Sequence, residues 1–433
     1  MILADRYNYP AQFHEKSKDV LETALNTAPA YGGWKVLDRP DAAIDERYDA
    51  LPELNKQIMR DHFPTGLIPN YRDLEAGLDS EQVEYTFTSG TTGDRVVNIW
   101  DQNWWDSSEI SAWKLSAHTK DLKHPLKEAK LASALNVGIS CEEDLPMSHR
   151  TVGSKLYLNE KISIIQWQRR HYERMARELG EFKPDILEAN PSLLARLAYW
   201  AIDEGVKLFS PSAIVFTYEL PSKIHLKAIS EVFSAPLISS YGTTETGFVM
   251  QECESGSMHQ NVDFCRIDFE PLKDKYGGPE LGRMLVTTFN NPWNIIVRFD
   301  VGDLIRLHPS GECECGRSEG LIARAIEGRV TNSTFATDGG LITTAALDDV
   351  LSKVEGIRDY HLEQNTPESY ELELMIKGDE GRIVGETREA LKELYGSDGK
   401  YDIKVLKNIW PGPAGKFRRT QVNFDFDFEE LFV

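Results

Sequence analysis

A short run of glycines and hydroxyl side chains is the strongest chemical signal in this sequence. It comprises Thr88, Ser89, Gly90, Thr91, Thr92 and Gly93. Glycine lets the backbone approach a ligand closely, and converging N–H groups and hydroxyls form a concavity that binds anions such as phosphate. The run is not a Walker loop, because no Gly-Lys-Ser/Thr sequence follows it. A hairpin turn is the alternative interpretation, since both flanks are rich in β-branched and aromatic residues.

Two further segments carry residue types that suit a nucleotide. The first consists of Tyr241, Gly242, Thr243, Thr244 and Glu245. A tyrosine ring can stack on a purine, and a carboxylate can hold Mg²⁺ against phosphate oxygens. In the second segment a strand-like run ends in Gly302 and Asp303, where the carboxylate could accept hydrogen bonds from a ribose diol. Taken alone, each segment is more typical of an ordinary turn.

Two basic residues in the C-terminal part of the chain could supply positive charge to a polyphosphate. Arg329 follows Gly328 at a change in composition, and an arginine there can bridge phosphate and ribose. Lys416 follows Gly415, and its flexible ammonium suits an oxygen that gains negative charge during phosphoryl or nucleotidyl transfer. A surface salt bridge and a basic surface turn are the alternatives. Because the formal net charge is −21, such cations must be local, and nucleic acid or an anionic membrane is disfavoured as a partner.

The order of these segments resembles the adenylate-forming superfamily of acyl- and aryl-CoA synthetases, and within it the phenylacetate–CoA ligase-like branch. The matching motifs are TSGTTG, YGTTE, RFDVGDL, GR and GKFRR, in that order. The resemblance implies an α/β fold with two domains. Residues 1–328 would form a large N-terminal domain of layered sheets and helices, and residues 329–433 a small, mobile α+β C-terminal domain.

The resemblance also implies a two-step reaction. ATP would activate a carboxylic acid as an acyl-adenylate, and the acyl group would then pass to a thiol, with coenzyme A as the leading acceptor. Residues 88–93 would hold the β- and γ-phosphates, Glu245 would bind Mg²⁺, and Thr244 would lie near the α-phosphate. Lys416 would contact the reacting oxygens, because catalysis of this step consists of positioning and charge neutralisation.

The nucleoside contacts implied by the resemblance come from three segments. They are Tyr218, Glu219, Tyr241, Gly242, Thr243 and Asp303. Tyr241 would stack on the adenine, Asp303 would bind the ribose hydroxyls, and Arg329 would assist it as a catalytic residue.

Departures from the family pattern leave the substrate and the acceptor open. Tyr218 replaces a small residue and could narrow the acid pocket or favour a polar aromatic acid. Thr331 and Asn332 replace the acidic pair usual at the hinge. The acyl group could therefore pass to a carrier protein or a reductase partner of a natural-product pathway instead of coenzyme A. A non-catalytic nucleotide-binding relative is the alternative of another class, although the retained Lys416 and Glu245 disfavour it.

Four residues could form a structural zinc site. Cys253 and His259 follow the YGTTE segment, while Cys313 and Cys315 lie one residue apart on a predicted turn. Three cysteines and one histidine are a standard tetrahedral zinc set. Cys265 is a competing fourth ligand, and reduced free cysteines are the alternative.

The remaining sequence properties indicate a cytoplasmic protein, while the choice between a monomer and a homodimer stays open. The first residues lack the features of a signal peptide, and no apolar run approaches membrane-spanning length. The five cysteines, among them Cys141 as a core residue, do not resemble a secreted disulfide framework.

Hydrophobic periodicity predicts alternating strands and helices in both parts of the chain. Strands are expected at 162–167, 213–216, 369–377 and 401–409. Helices are expected from about residue 17 and at 171–179, 223–233, 345–354 and 385–395.

Overall fold

The computed structural model describes residues 6–87, 96–122, 125–134, 143–412 and 415–433. The glycine- and hydroxyl-rich run at 88–93 and Cys141 lie outside the described residues, so the predictions made for them stay predictions.

The helices of the described chain have these bounds: α1 (Ala11–Thr27), α2 (Ile44–Asp49), α3 (Lys56–His62), α4 (Leu74–Asp79), α5 (Gln102–Trp113), α6 (Arg169–Phe182), α7 (Pro191–Glu204), α8 (Lys223–Val232), α9 (Thr344–Leu351) and α10 (Glu380–Tyr395). The strands up to residue 329 are β1 (Glu84–Phe87), β2 (Val97–Trp100), β3 (Glu128–Leu131), β4 (Thr151–Val152), β5 (Lys155–Tyr157), β6 (Ile186–Ala189), β7 (Ala213–Phe216), β8 (Leu237–Thr243), β9 (Gly247–Glu252), β10 (Met258–Gln260), β11 (Cys265–Pro271), β12 (Leu281–Thr288), β13 (Phe299–Leu307) and β14 (Ile322–Arg329). The later strands are β15 (Thr334–Phe335), β16 (Leu341–Ile342), β17 (Ile357–Thr366), β18 (Ser369–Ile376), β19 (Lys400–Val405) and β20 (Thr420–Val422).

A twelve-stranded sheet organises the larger part of the protein, in the order β11-β12-β13-β14-β10-β9-β8-β7-β6-β3-β5-β4. Strands β3, β6, β7 and β8 pair in parallel, and α7 and α8 connect β6 to β7 and β7 to β8. Every residue of β6 and β7 is buried, as expected for parallel strands covered on both faces. The carboxyl ends of these strands form one edge, which is where open α/β sheets bind ligands.

Helix α7 shows how the local sequence fixes an element beside that edge. The side chain of Asn190 caps its first turn by accepting a hydrogen bond from the backbone N–H of Leu193 at 3.0 Å, and Pro191 occupies the first helical position. Gly205 ends the helix with a φ of 67°. Proline at the start and left-handed glycine at the end are the residues that these positions favour.

A smaller four-stranded sheet, in the order β19-β18-β17-β20, follows β14 along the chain. Its core contains buried side chains of α9, α10 and the strands, and Ile224 of α8 joins that core. The mixed α/β architecture of the prediction is confirmed, whereas the division at residue 328 stays a prediction.

The last ten residues return to the large sheet. Phe432 forms an isolated antiparallel bridge with Leu272, and the Arg283 guanidinium lies 4.1 Å from the centre of the Phe432 ring. Leu431 is fully buried among residues of both sheet regions. The C-terminal segment therefore ties the small sheet to the large one.

One predicted element is wrong and several boundaries shift. Residues 162–167 do not form a strand: Ile164–Gln166 is a short 3-10 helix, with the Ser163 side chain accepting a hydrogen bond from Ile165 N–H. Ile164 is buried while Ile165 is 58% exposed. The apolar run therefore fixes the segment between β5 and α6 to the core through one side chain and does not form a strand. Helices α1 and α10 begin earlier than predicted, and the Asp379 side chain caps α10 by accepting from Arg382 N–H at 2.7 Å.

Among the described residues, no helix has both the length and the apolar character needed to cross a membrane.

We expect Leu431→Ala to lower the free energy of unfolding by about 2–5 kcal/mol, the usual cost of truncating a buried leucine. Denaturant titration followed by fluorescence would measure the change. Val433→Ala is the matched control. Because Val433 is 89% exposed, this substitution should leave the unfolding midpoint unchanged. Equal midpoints for the two variants would show that the C-terminal segment is not packed as described.

Candidate functional site

Tyr241, Asp303 and Arg329 meet at one place on the large sheet, which is called the cleft below. The Tyr241 hydroxyl donates a hydrogen bond to Asp303 Oδ2 at 2.8 Å, and Arg329 Nε lies 3.4 Å from Asp303 Oδ1. Asp303 and Arg329 are direct partners in the register of β13 and β14, whereas three strands separate β8 from β13 in the sheet order. The sheet must therefore curve strongly to bring Tyr241 to Asp303. Burial, and then the negative charge of Asp303, raise the pKa of Tyr241 well above its usual value, so its hydroxyl stays a donor.

The turn between β8 and β9 requires glycine and presents a buried carboxylate. A Cβ on Gly242 would come within 2.2 Å of the Gly247 carbonyl oxygen, which no side chain could tolerate. Thr244 is half-buried in this turn. Glu245 is 4% exposed, and within the described chain its Oε1 has no hydrogen-bond partner. Within the described residues, the ammonium of Lys56 forms an ion pair with this carboxylate, with Nζ 3.8 Å from that oxygen.

The loop that carries Lys416 reaches the carboxyl edge of the parallel strands. The backbone N–H of Phe417 donates to Glu219 Oε2 at 3.1 Å. Gly415 has a φ of 72°, and a Cβ there would lie 3.0 Å from Cβ of Ser133, just after β3. Burial, and then the positive charge of Arg329, lower the pKa of Lys416, while Glu219 and Asp303 oppose that change. The ammonium therefore shares the electrostatic environment of the cleft.

Tyr218 lies in a strained turn above the end of β7. Its φ is 76°, a conformation that bulky residues rarely adopt and that is often found at functional sites. It is followed by Glu219, whose Oε1 is buried and has no hydrogen-bond partner among the described residues. The structure thus places Glu219 against the Lys416 loop, while Tyr218 packs against Ala132 just after β3.

A cluster of buried charges lies beneath this turn. Lys130 Nζ is 2.6 Å from Glu188 Oε2 and 3.3 Å from Glu128 Oε1, while the Thr217 hydroxyl donates to Glu188 at 3.0 Å. Burial, and then the negative charge of Glu188, raise the pKa of Glu109 on α5 to about 8. The edge of the sheet next to Tyr218 is therefore polar although it is buried in the protein.

The four predicted zinc ligands converge at a separate place. The sulfur and nitrogen atoms of Cys253, His259, Cys313 and Cys315 all lie within 4.8 Å of one another. Cys315 Sγ is 3.3 Å from His259 Nε2, and Cys253 Sγ is 3.7 Å from Cys313 Sγ. Cys265 is not a member of the cluster, because its buried thiol instead donates to the carbonyl oxygens of Asn261 and Val249. The set matches the ligand types of a tetrahedral zinc site.

Sequence reasoning missed Lys56 and the charged cluster around Lys130 and Glu188. Lys56 lies in no motif, and only the three-dimensional fold brings α3 to the β8–β9 turn. The cluster did leave a signal, since β3 and β6 each carry a charged residue in their next-to-last position. A charge at that point of a buried parallel strand is unusual and faces the ligand-binding edge.

The chain has the fold of adenylate-forming enzymes. 2-Hydroxyisobutyryl-CoA ligase in the postadenylation state, in complex with 2-HIB-AMP, superposes with a TM-score of 0.72 at 15% identity, covering 98% of this chain and 92% of that one. The same ligase in the thioesterification state, in complex with 2-HIB-AMP and CoA, gives a TM-score of 0.56 at 17% identity, covering 98% and 94%.

A curated relative is Protein CapK from Staphylococcus aureus, which is 23% identical over 246 residues. The match covers 56% of this chain and 54% of CapK, so the chain spans about half the length of the curated relative it matches. No protein-family model matches the chain.

Proposed function

We propose that this protein is an AMP-forming acid–thiol ligase. It activates a carboxylic acid with ATP as an acyl-adenylate and then transfers the acyl group to a thiol. The observation that carries this proposal is the position of the Lys416 loop, which is bound through Phe417 to Glu219 at the cleft formed by Tyr241, Asp303 and Arg329. The shared fold with a ligase bound to an acyl-adenylate supports it.

In the first step an oxygen of the substrate carboxylate attacks the α-phosphorus of ATP. The new bond joins that oxygen to phosphorus, the bond between the α-phosphorus and its bridging oxygen breaks, and pyrophosphate leaves. The Lys416 ammonium stabilises the negative charge that develops on these oxygens. Asp303 accepts hydrogen bonds from the ribose diol, and Arg329 adds positive charge beside it. Tyr241 stacks on the adenine, and Tyr218 and Glu219 wall its other side.

Glu245 is the residue that would hold Mg²⁺. Its Oε1 is buried and has no hydrogen-bond partner among the described residues, and carboxylate oxygens are preferred magnesium ligands. A bound Mg²⁺ would neutralise phosphate charge, with the Thr244 hydroxyl nearby. The loop at 88–93 would complete phosphate binding. Together with Lys416 and Arg329, these groups provide local attraction for ATP on a chain whose net charge is −21.

In the second step a thiol sulfur attacks the acyl carbon and AMP leaves. Coenzyme A is the proposed acceptor, and a carrier-protein thiol or a reductase partner is the alternative. The higher TM-score against the postadenylation state than against the thioesterification state supports the view that this arrangement serves the first step. The small sheet, proposed as a mobile domain of residues 329–433, would then move to admit the thiol.

The acid is proposed to be aromatic and to carry a polar group. Tyr218 presents an aromatic side chain at the predicted junction of the acid and adenine sites. The charged cluster of Lys130, Glu128 and Glu188 beneath it supports a polar substituent, because the two buried carboxylates share the Lys130 ammonium and buried polar groups gain from a hydrogen-bonding ligand. This specificity would place the protein in the phenylacetate–CoA ligase-like branch.

Lys416→Ala should reduce adenylation by about two to three orders of magnitude, the effect typical of removing a group that stabilises transition-state charge. Acid-dependent exchange between ATP and labelled pyrophosphate measures this step. Thioester formation from a preformed acyl-adenylate should be spared. Lys407→Ala is the control, because Lys407 is an exposed lysine of the same region. An equal loss in both half-reactions would contradict the role of Lys416.

Asp303→Asn should raise the KM for ATP by about 10- to 100-fold, because a hydrogen bond to a charged group contributes about 1.5–3 kcal/mol. Titration of ATP in the exchange assay measures the change, and the KM for the acid should stay within experimental error. Asp402→Asn, at an exposed site on β19, should behave as the wild type. An unchanged KM for ATP in Asp303→Asn would rule out the ribose contact.

We also propose that Cys253, His259, Cys313 and Cys315 bind a structural Zn²⁺. The purified protein should contain about one equivalent of zinc by mass spectrometry, as one tetrahedral site requires. Cys315→Ser should lower both the zinc content and the thermal midpoint, whereas Cys265→Ala should keep the zinc. Full zinc loading of Cys315→Ser, or a wild-type protein that folds without metal, would contradict this site.

A further inference from the structure

One arginine of α7 holds the Lys416 loop on both of its sides. Arg196 donates a hydrogen bond from Nη2 to the carbonyl oxygen of Ile409. Its guanidinium lies 5.2 Å from the ring centre of Trp410 and 5.2 Å from that of Phe417. Ile409 and Trp410 precede the loop and Phe417 follows Lys416, so a single side chain contacts the chain entering and leaving it.

The helix beneath Arg196 is a rigid platform. Leu193, Leu194 and Leu197 of α7 are buried in the core against the parallel strands, and α7 is capped at both ends. The Arg196 side chain is itself only 9% exposed. Such packing holds α7 on the large sheet, so the base of the Arg196 side chain is anchored there while its guanidinium reaches the loop.

A buried charge network fixes the chain just after the loop to the same helix. Arg419 donates from Nη1 to Asp359 Oδ1 at 3.0 Å and from Nη2 to the Ser192 hydroxyl at 3.2 Å. His225 Nε2 of α8 lies 3.4 Å from Asp359 Oδ1, and Arg196 lies 4.0 Å from Asp359 Oδ2. Burial by itself would raise the pKa of Asp359, but the neighbouring His225 ring and the Arg419 guanidinium hold it well below its usual value. The carboxylate is therefore charged and binds the small sheet to α7 and α8.

The described residues of the loop are joined to one another and to the large sheet by backbone contacts. Gly412 N–H donates to the carbonyl oxygen of Lys416 at 3.0 Å, and Gly415 N–H donates to that of Gly412 at 2.9 Å. Toward the large sheet, Phe417 N–H donates to Glu219 Oε2 at 3.1 Å, and Gly415 closely approaches Ser133. The internal hydrogen bonds shape the loop but do not attach it to the large sheet, so the contacts of Arg196 contribute to placing Lys416 at the cleft.

We propose that Arg196 is a positioning residue for adenylation, which acts by holding the Lys416 loop over the nucleotide cleft. This inference rests on the proposed function. Arg196 has no contact with Tyr241, Asp303 or Arg329 among the interactions of the described residues, so it acts through the loop. When Arg196 is replaced, the conformation that places the Lys416 ammonium at the cleft becomes a smaller fraction of the population, and the rate of adenylation falls by that fraction.

The test compares Arg196→Ala, Arg196→Lys, Lys416→Ala and the double variant Arg196→Ala with Lys416→Ala. Arg196→Ala should lower the kcat of ATP–pyrophosphate exchange by about 10- to 100-fold, the effect of displacing a catalytic group by about 1 Å. The KM for ATP and the rate of thioester formation from preformed acyl-adenylate should stay unchanged. Arg196→Lys should be intermediate, because lysine keeps a donor for Ile409 but loses the planar group that lies on two rings. Arg177→Ala, an exposed arginine on α6, is the control.

The double variant separates positioning from general stability. If Arg196 acts through Lys416, then Arg196→Ala causes no further loss in the Lys416→Ala background. A further tenfold loss there, or an equal loss of both half-reactions in Arg196→Ala together with a lower thermal midpoint, would overturn the inference. So would wild-type exchange in Arg196→Ala while Lys416→Ala is impaired. If Lys416→Ala itself exchanges normally, the proposed function fails instead.

Discussion

In the proposed reaction, the placement of the Lys416 ammonium is the constraint on which the other groups depend. Lys416 comes from a loop beside the small sheet, whereas Glu219, Asp303 and Arg329 lie on or next to strands of the large one. Among the described residues, the loop is held against the large sheet by a backbone hydrogen bond to Glu219, a close approach to Ser133 and the contacts of Arg196. Each of them lies at the carboxyl edge of the parallel strands or on a helix beside it. The interface of the two sheets is thus part of the candidate active site and not only a structural junction.

For ATP as the proposed substrate, charge explains why several cations are needed at one place. A chain with a net charge of −21 repels a polyphosphate at long range, so the proposed attraction comes from a few cations brought together at short range, where the effective dielectric is lower. Burial lowers the pKa of Lys416, and repulsion by the positive charge of Arg329 lowers it further. Asp303 and Glu219 offset that repulsion. A nucleotide would add negative charge at the point where the two cations converge.

The sequence predicted residues that the fold brings together, and their roles stay predictions. Tyr241, Asp303 and Arg329 were predicted from the order of the motifs and the resemblance that it carries, and the four zinc ligands mainly from their residue types. The sequence analysis missed contacts that arise only from folding, because no local pattern relates Lys56 to Glu245 or Arg196 to the Lys416 loop. Element boundaries shifted where capping side chains such as Asp379 start a helix before its apolar periodicity begins. The apolar run at 162–167 was wrongly predicted as a strand, because its buried residue Ile164 belongs to a short 3-10 helix in a connecting segment.

A crystal structure of the protein with Mg²⁺ and α,β-methylene-ATP, which cannot release pyrophosphate, tests the central claim most directly. The account predicts adenine beside Tyr241 and the 218–219 turn, the ribose hydroxyls on Asp303, and the Lys416 ammonium within hydrogen-bond distance of the α-phosphate. A nucleotide bound elsewhere, or a Lys416 ammonium that remains out of reach of the α-phosphate with the loop still docked on Glu219, would contradict it.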